Sequence, residues 1–428
     1  MCFYGQSQKP LITENIFDQK QWVDSVYSSM SIDQKIGQLF TVWVATKYGD
    51  DEVTHISKLI KNHHLGGLIF SLGNIKDQAK AINKFQEISK VPLLISMDAE
   101  WGIGMRLDDA FSFPYNMTLG AIKNDSLVYK VGKRIGYHAK RLGVHINFAP
   151  VVDINTNPRN PIIGSRSFGE DKFNVANKGI SYLKGMHEYG IMGAAKHFPG
   201  HGDTETDSHK TLPTISFDKD RINDVELYPF KKLIENNLDG IMTAHLNIPN
   251  LDKKEISTLS QKVINNLLVD DLGFEGLVIT DALDMKAIVD FSKGDYPDIT
   301  ALNAGNDLLL MPTDVAKSIK EIKKAYQKNK ISPQRLESAV KKILYAKYKA
   351  GLSDLKPVEI DNIVDDLNQD IDHALLDRLA EESITLVKNQ NLNLPLDISN
   401  NQSVGYVNFG DDSYNTFINY VNKYKKIY

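Results

Sequence analysis

Eight short apolar runs, separated by amphipathic stretches, constrain this chain more than any other feature. The runs lie at 39–45, 66–71, 92–98, 145–153, 193–197, 240–245, 276–281 and 306–311. Between and after them, 53–62, 75–89, 127–142, 172–189, 218–237, 261–272, 282–291 and 314–327 carry apolar residues at helical spacing. Eight strand–helix units in roughly 320 residues predict an α/β fold of the TIM (β/α)8 barrel type. An open doubly wound sheet normally shows a Gly-rich turn after its first strand, and none follows Ala45. Ahead of the first run, Ser31 with Gln34 three residues on predicts a capping box.

A barrel gathers the residues at the C-terminal ends of its strands on one face. Here those ends are polar. The third run closes on Asp98 with Glu100 behind it, and the fourth on Asp153, whose loop carries Arg159, Arg166 and Glu170. The fifth closes on Lys196 and His197, the sixth on His245, and the seventh on Asp281 with Asp284 just beyond. A single such Asp is readily a helix cap. Titratable residues at five consecutive strand ends are not explained that way. The densest stretch is KHFPGHGDTETDSH, residues 196–209. Pro199, Gly200 and Gly202 break regular structure there, so a polar loop is expected after a buried strand. Asp207 stands two residues before His209, close enough to orient the imidazole and raise its basicity. A merely hydrogen-bonded surface loop is the alternative for one Asp-x-His; the density of the whole stretch argues against it.

Composition narrows the classes. A net charge of −4 gives no electrostatic case for nucleic acid or anionic membranes. Cys2 is the one cysteine, which excludes an intrachain disulfide and a Cys-rich metal site. No apolar run approaches the ~20 residues of a membrane-spanning helix. The first ten residues lack the basic and apolar regions of a signal peptide, and a cytoplasmic or periplasmic location stays open, with Cys2 a candidate lipid-attachment residue. The expected organisation is an N-terminal extension (1–24), a catalytic barrel (25–351), an acidic linker (352–374) and the start of a C-terminal α/β domain (375–428). That last part offers one helix, 375–388, and one strand, 404–408. A lone helix and strand cannot bury a core, so a truncated domain is expected.

These residues resemble glycoside hydrolase family 3, and most closely its β-N-acetylglucosaminidase (β-hexosaminidase) branch. The resemblance rests on KHFPGHGDTETDSH, supported by ISMDAEWGIGMRL (95–107), NPIIGSRSFGED (160–171) and GLVITDALDMKAI (276–288), and it spans about residues 25–350. AEESITLVKNQNLNLPL (380–396) is similar to the opening of the family's second domain. The resemblance implies a TIM-barrel catalytic domain and a retaining mechanism. It implies Asp281 as nucleophile and His209, partnered by Asp207, as general acid/base. It implies that Asp98, Arg106, Arg166, Lys196 and His197 bind the terminal sugar, with no metal and no cofactor. The implied partner is a carbohydrate ending in N-acetylglucosamine, with peptidoglycan fragments as one source. The family's Glu-Gly-Gly is here Glu100-Trp101-Gly102, so Trp101 is expected to narrow or stack against the sugar pocket.

The chemistry is physically sound. A retaining glycosidase needs a carboxylate nucleophile and a proton donor to the leaving oxygen. An imidazolium beside a carboxylate can donate near neutral pH and then accept a proton from water, a role worth ~10²–10⁴-fold. Lys196 helps keep Asp281 ionised. Plainer readings remain for some residues: Asp98–Lys196 as a barrel-floor ion pair, Arg166 as a brace for its own loop, His201 as a structural tie, and His245 as either. Other functions remain open: a β-glucosidase or a phosphorylase on the same site, a metal-dependent hydrolase using the His and Asp residues, or a non-catalytic sugar-binding protein.

Overall fold

The computed structural model describes residues 9–206, 211–292, 296–390 and 416–423. Cys2, the acid/base candidates Asp207 and His209, and the strand expected over 404–408 lie outside the described residues. The chain divides into two units, Met1–Ser383 and Ile384–Tyr428. The second has one described helix, Thr416–Val421.

Each of the eight apolar runs supplies a strand: β1 (Phe40–Val44), β2 (Gly67–Phe70), β3 (Leu94–Met97), β4 (Ile146–Asn147), β5 (Met192–Phe198), β6 (Gly240–Thr243), β7 (Leu277–Thr280) and β8 (Leu309–Leu310). All neighbours pair in parallel, in the order β7-β6-β5-β4-β3-β2-β1-β8. The seam between β7 and β8 is closed by the Ile279–Leu308 bridge. Side chains stitch what that short ladder lacks. The Val278 N–H donates to Asp307 Oδ2 (3.1 Å) and the Leu310 N–H to Thr280 Oγ1 (2.9 Å). Asp307 also takes Arg335 and Lys342 from the closing helix Pro333–Lys349. The result is the TIM barrel that the spacing predicts. Its strands are buried on both faces, which is why they read as continuous apolar runs rather than alternating ones.

The departures have local causes. The fourth ladder stops at Asn147, beyond which the Ala149 N–H turns back to the Asn147 carbonyl (2.8 Å); pairing resumes only at the Val151–Lys196 bridge. The single helix expected over 218–237 is broken into Lys219–Arg221, Ile222–Glu226 and Tyr228–Ile234, with Pro229 at the last break. The helix after β7 starts at Lys286, leaving 281–285 as a loop in which the Asp281 side chain takes the Ala282 N–H (2.8 Å). The capping box is formed: Ser31 Oγ accepts from the Gln34 N–H (3.3 Å), and Gln34 Oε1 from the Ser31 N–H (2.8 Å).

The stretch 352–374, expected as an acidic linker, makes buried and ion-paired contacts with the barrel unit. Ile363 and Leu367 are fully buried, Asp366 pairs with Arg141 (2.8 Å), and Asp372 pairs with Arg134 (2.6 Å) and with His138 Nε2 (3.1 Å). The following helix, Asp370–Ser383, begins earlier and ends sooner than the expected 375–388, and it belongs to the same unit as the barrel.

Candidate active site

The site grows from the end of β5. A register shift between Lys196 and Phe198 breaks the alternation of the strand, so Lys196 and His197, though consecutive, both face the same cavity. Lys196 is almost fully buried and donates to Asp98 Oδ1 (2.7 Å) at the end of β3, with Glu100 Oε1 at 2.8 Å. Arg106 reaches the other Asp98 oxygen (2.8 Å). Arg166, from the loop after β4, grips Glu100 with two N–H groups (3.0 and 2.8 Å), the bidentate geometry that fixes a guanidinium in its plane. Two carboxylates and three cations thus make one buried network. Removing one member strands the others, which is why such a network is costly to break.

The electrostatics follow. Burial alone would push Asp98 and Glu100 toward protonation. Lys196 with Arg106, and Lys196 with Arg166, overcome it and hold both carboxyls below their ordinary range. Arg166 is held more firmly protonated by Glu100 despite its burial.

Asp153, at the end of the fourth run, fixes the tautomer of His197. The carboxylate accepts both the His197 backbone N–H (3.1 Å) and Nδ1–H (2.6 Å). Nε2 of His197 then accepts from Arg166 Nη2 (3.3 Å), since a guanidinium only donates. Asp153 also takes the His201 N–H (2.7 Å), tying the start of the next loop to the barrel. It is kept below the usual carboxylate range because His197 and His201 outweigh its burial. Burial and the neighbouring His197 lower the His201 pKa to about 4. At neutral pH its ring is uncharged, with Nδ1 against Thr204 Oγ1 (2.8 Å).

Asp281 stands at the end of β7. Burial would raise its pKa, but the imidazoles of His197 and His245, the Ala282 N–H and the Lys196 ammonium lower it below the ordinary value. His245 is held between Thr258 Oγ1 (2.8 Å) and the Ala282 carbonyl (2.9 Å), a brace beneath the Asp281 loop.

One cavity of about 440 Å³ brings Asp98, Arg106, Arg166, Lys196, His197 and Asp281 together. The two plainer readings of these groups are also realised: Asp98 and Lys196 are an ion pair, and Arg166 braces its loop at the Ile162 carbonyl (3.4 Å) while lining the cavity. Asp207 and His209 cannot be placed relative to it, being outside the described residues. Trp101 does not line the cavity; its ring meets Tyr115 edge-on at 4.6 Å, and its carbonyl takes the Phe113 N–H. A different tryptophan, Trp43 on β1, lines it instead. Glu100 and Asp153 also carry more of the site than their mention as strand-end acids implied: Glu100 receives Lys196 and Arg166, and Asp153 receives His197, all residues that the resemblance singles out. Among the described residues, no group of three or more His, Cys, Asp or Glu is arranged to hold a metal ion, and no helix is long and apolar enough to cross a membrane.

Residues 31–346 match the family described as glycosyl hydrolase family 3 N terminal domain. The chain belongs to glycoside hydrolase family 3. Beta-hexosaminidase A of Pseudoalteromonas piscicida is 33% identical over 424 residues, covering 91% of this chain and 69% of its own. A beta-N-acetylglucosaminidase/beta-glucosidase of Cellulomonas fimi is 30% identical over 386 residues, covering 88% and 68%. Among solved structures, the family 3 beta-N-acetylglucosaminidase from Paenibacillus sp. str. FPU-7 superposes with a TM-score of 0.81 at 34% identity, covering 90% of this chain and 74% of that one. Beta-glucoside phosphorylase BglX superposes with a TM-score of 0.86 at 25% identity, covering 98% and 78%.

Proposed function

We propose that this chain is a retaining, exo-acting β-N-acetylhexosaminidase that removes terminal β-linked N-acetylglucosamine, with peptidoglycan fragments among its substrates. The observation that carries the reading is the company Asp281 keeps: a half-buried carboxylate, held below its ordinary pKa, in the same cavity as a preformed network of hydrogen-bonding charges. In this reading Asp281 attacks the anomeric carbon and forms a covalent glycosyl-enzyme. His209, oriented by Asp207, gives its proton to the leaving oxygen and then takes one from the attacking water. Asp98 with Arg106, and Arg166, Lys196 and His197, take the hydroxyls of the terminal sugar. Because these groups already hold one another in place, they pay little ordering cost when substrate arrives.

The test is hydrolysis of 4-nitrophenyl N-acetyl-β-glucosaminide beside the β-glucoside, with and without chelator. A preference for the N-acetyl sugar that ignores chelator is expected. Asp281→Ala should lower turnover by roughly 10⁴-fold or more, the scale of losing a nucleophile, with folding intact by circular dichroism. Ordinary turnover in that variant would end the assignment. A second reading is phosphorolysis, favoured by the superposition on a beta-glucoside phosphorylase. Acceleration by added phosphate, with a sugar 1-phosphate as product, would establish it.

A further inference from the structure

The barrel's stagger identifies a residue that the strand-end pattern passes over. Trp43 on β1 opposes Ile69 and, two strands on, Ser96; Asp98 stands two residues above Ser96. Four strands on, Trp43 opposes Met192 through Ile146, and Lys196 stands four residues above Met192. Two strands before β1, Asp281 opposes Leu310, continuing from the Ile279–Leu308 bridge, and Leu310 opposes Thr41; Trp43 stands two residues above Thr41. The rise is one residue per strand throughout, the stagger of a (β/α)8 barrel, so the four positions are level. They sit on alternate strands, β1, β3, β5 and β7, and all four side chains line the cavity. Barrel interiors are filled by such layers of four. Here the layer is Trp43, Asp98, Lys196 and Asp281, with Trp43 between the two aspartates and across from Lys196.

The rest of the cavity divides the same way. The charged residues all come from β3, β4, β5 and β7 and the loops after them, mixed there with methionines and Ile162, whereas no charged residue lines the cavity on the β8, β1 and β2 side, where Ile69, Phe70, Leu310 and Met311 surround Trp43. Those four aliphatic and aromatic neighbours include three that are buried, while Trp43 is only half-buried and tilts against the exposed Tyr48 (6.1 Å, 52°). Trp43 is therefore the aromatic group of this arc that a ligand meets, beside the half-buried Met311.

We propose that Trp43 is a specificity-determining residue whose indole takes the C–H surface of the terminal sugar, at the level of Asp98 and Asp281, opposite the charges that take its hydroxyls. This rests on reading the cavity as a terminal-sugar site. A pyranose is amphipathic, with hydroxyls at its rim and C–H groups on its faces, so a cavity charged on one arc and aromatic on the other matches it. An aromatic wall also excludes water from the reacting carbon and disfavours sugars carrying a charge on that side.

The protein has three tryptophans, so Trp22→Phe with Trp101→Phe leaves Trp43 as the sole indole. In that variant, titration with free N-acetylglucosamine should shift or quench the tryptophan emission. Inhibition of the full chain by the same monosaccharide is then compared in Trp43→Phe and Trp43→Leu. Trp43→Phe keeps a ring and should stay within about threefold of the parent, whereas Trp43→Leu should bind about tenfold more weakly at an unchanged thermal midpoint. Unaltered emission at saturating sugar, or a Trp43→Leu variant that weakens only disaccharide substrates, overturns the proposal. A parent that hydrolyses the N-acetylglucosaminide while emission stays fixed sinks the proposal and leaves the function standing. Emission that responds without hydrolysis does the reverse.

Discussion

Lys196 is the residue on which the site is balanced, because one buried ammonium serves two carboxylates, the buried Glu100 and the half-buried Asp98. Lys196→Met would leave Asp98 with only Arg106 and Glu100 with only Arg166. Breaking a buried pair costs about 3–5 kcal/mol, and that loss should appear as a lower urea midpoint at pH 7. Both carboxyls would also drift upward, so the acidic limb of the activity profile should move to higher pH. A variant with parental urea stability would show that the network is dispensable. The sequence displayed this lysine clearly, as a charge at the end of an apolar strand. It could not show that Asp98 and Glu100 share it. Nor could it distinguish Trp101 from Trp43: Trp101 sits inside a recognisable motif yet turns to Tyr115, whereas Trp43 looks like one more apolar residue of a strand. Only the register traced from β7 through β8 and β1 to β5 reveals which layer Trp43 occupies.

Among the elements, the strands were the most legible and the connections the least. Both-face burial writes strands as unbroken apolar runs. The acidic stretch 352–374 reads as a linker because its partners, Arg134 and Arg141, lie more than two hundred residues earlier on a helix facing it. Loop anchoring is equally hidden. Gly202, in the loop after β5, is packed so tightly that a Cβ there would lie 1.9 Å from the Ile154 carbonyl oxygen. That contact is with backbone, so nothing nearby can rotate away. Gly202→Ala should therefore displace the loop and break the bond from the His201 N–H to Asp153. Turnover should fall by about 10²-fold or more, with thermal stability changed far less, the pattern of a misplaced rather than unfolded site. Equal kcat in the two proteins would refute the anchoring role.

Over the whole molecule, buried anions are a common currency of construction. Asp98, Glu100 and Asp153 ring the upper face. Asp239, at the foot of β6, is held below the usual range against its burial by His187 and Lys349. Each has a folded pKa below its unfolded one. Their contribution is therefore complete above about pH 5 and is lost as the pH falls through the ordinary carboxylate range toward the depressed values. Urea midpoints measured from pH 7 to pH 3 should stay level and then drop steeply below about pH 4.5. A midpoint independent of pH down to 3 would contradict this.

The β7–β8 seam has a consequence for how the enzyme wears out. The strand that carries Asp281 is bordered on one side by the barrel's briefest ladder, held shut by the side chains of Asp307 and Thr280. Heat will loosen that join before the eight-stranded remainder gives way. The amides of Val278, Thr280 and Leu310 should be the first of the barrel strands to trade hydrogen for deuterium, and catalytic power should fade while most of the helical signal is still intact.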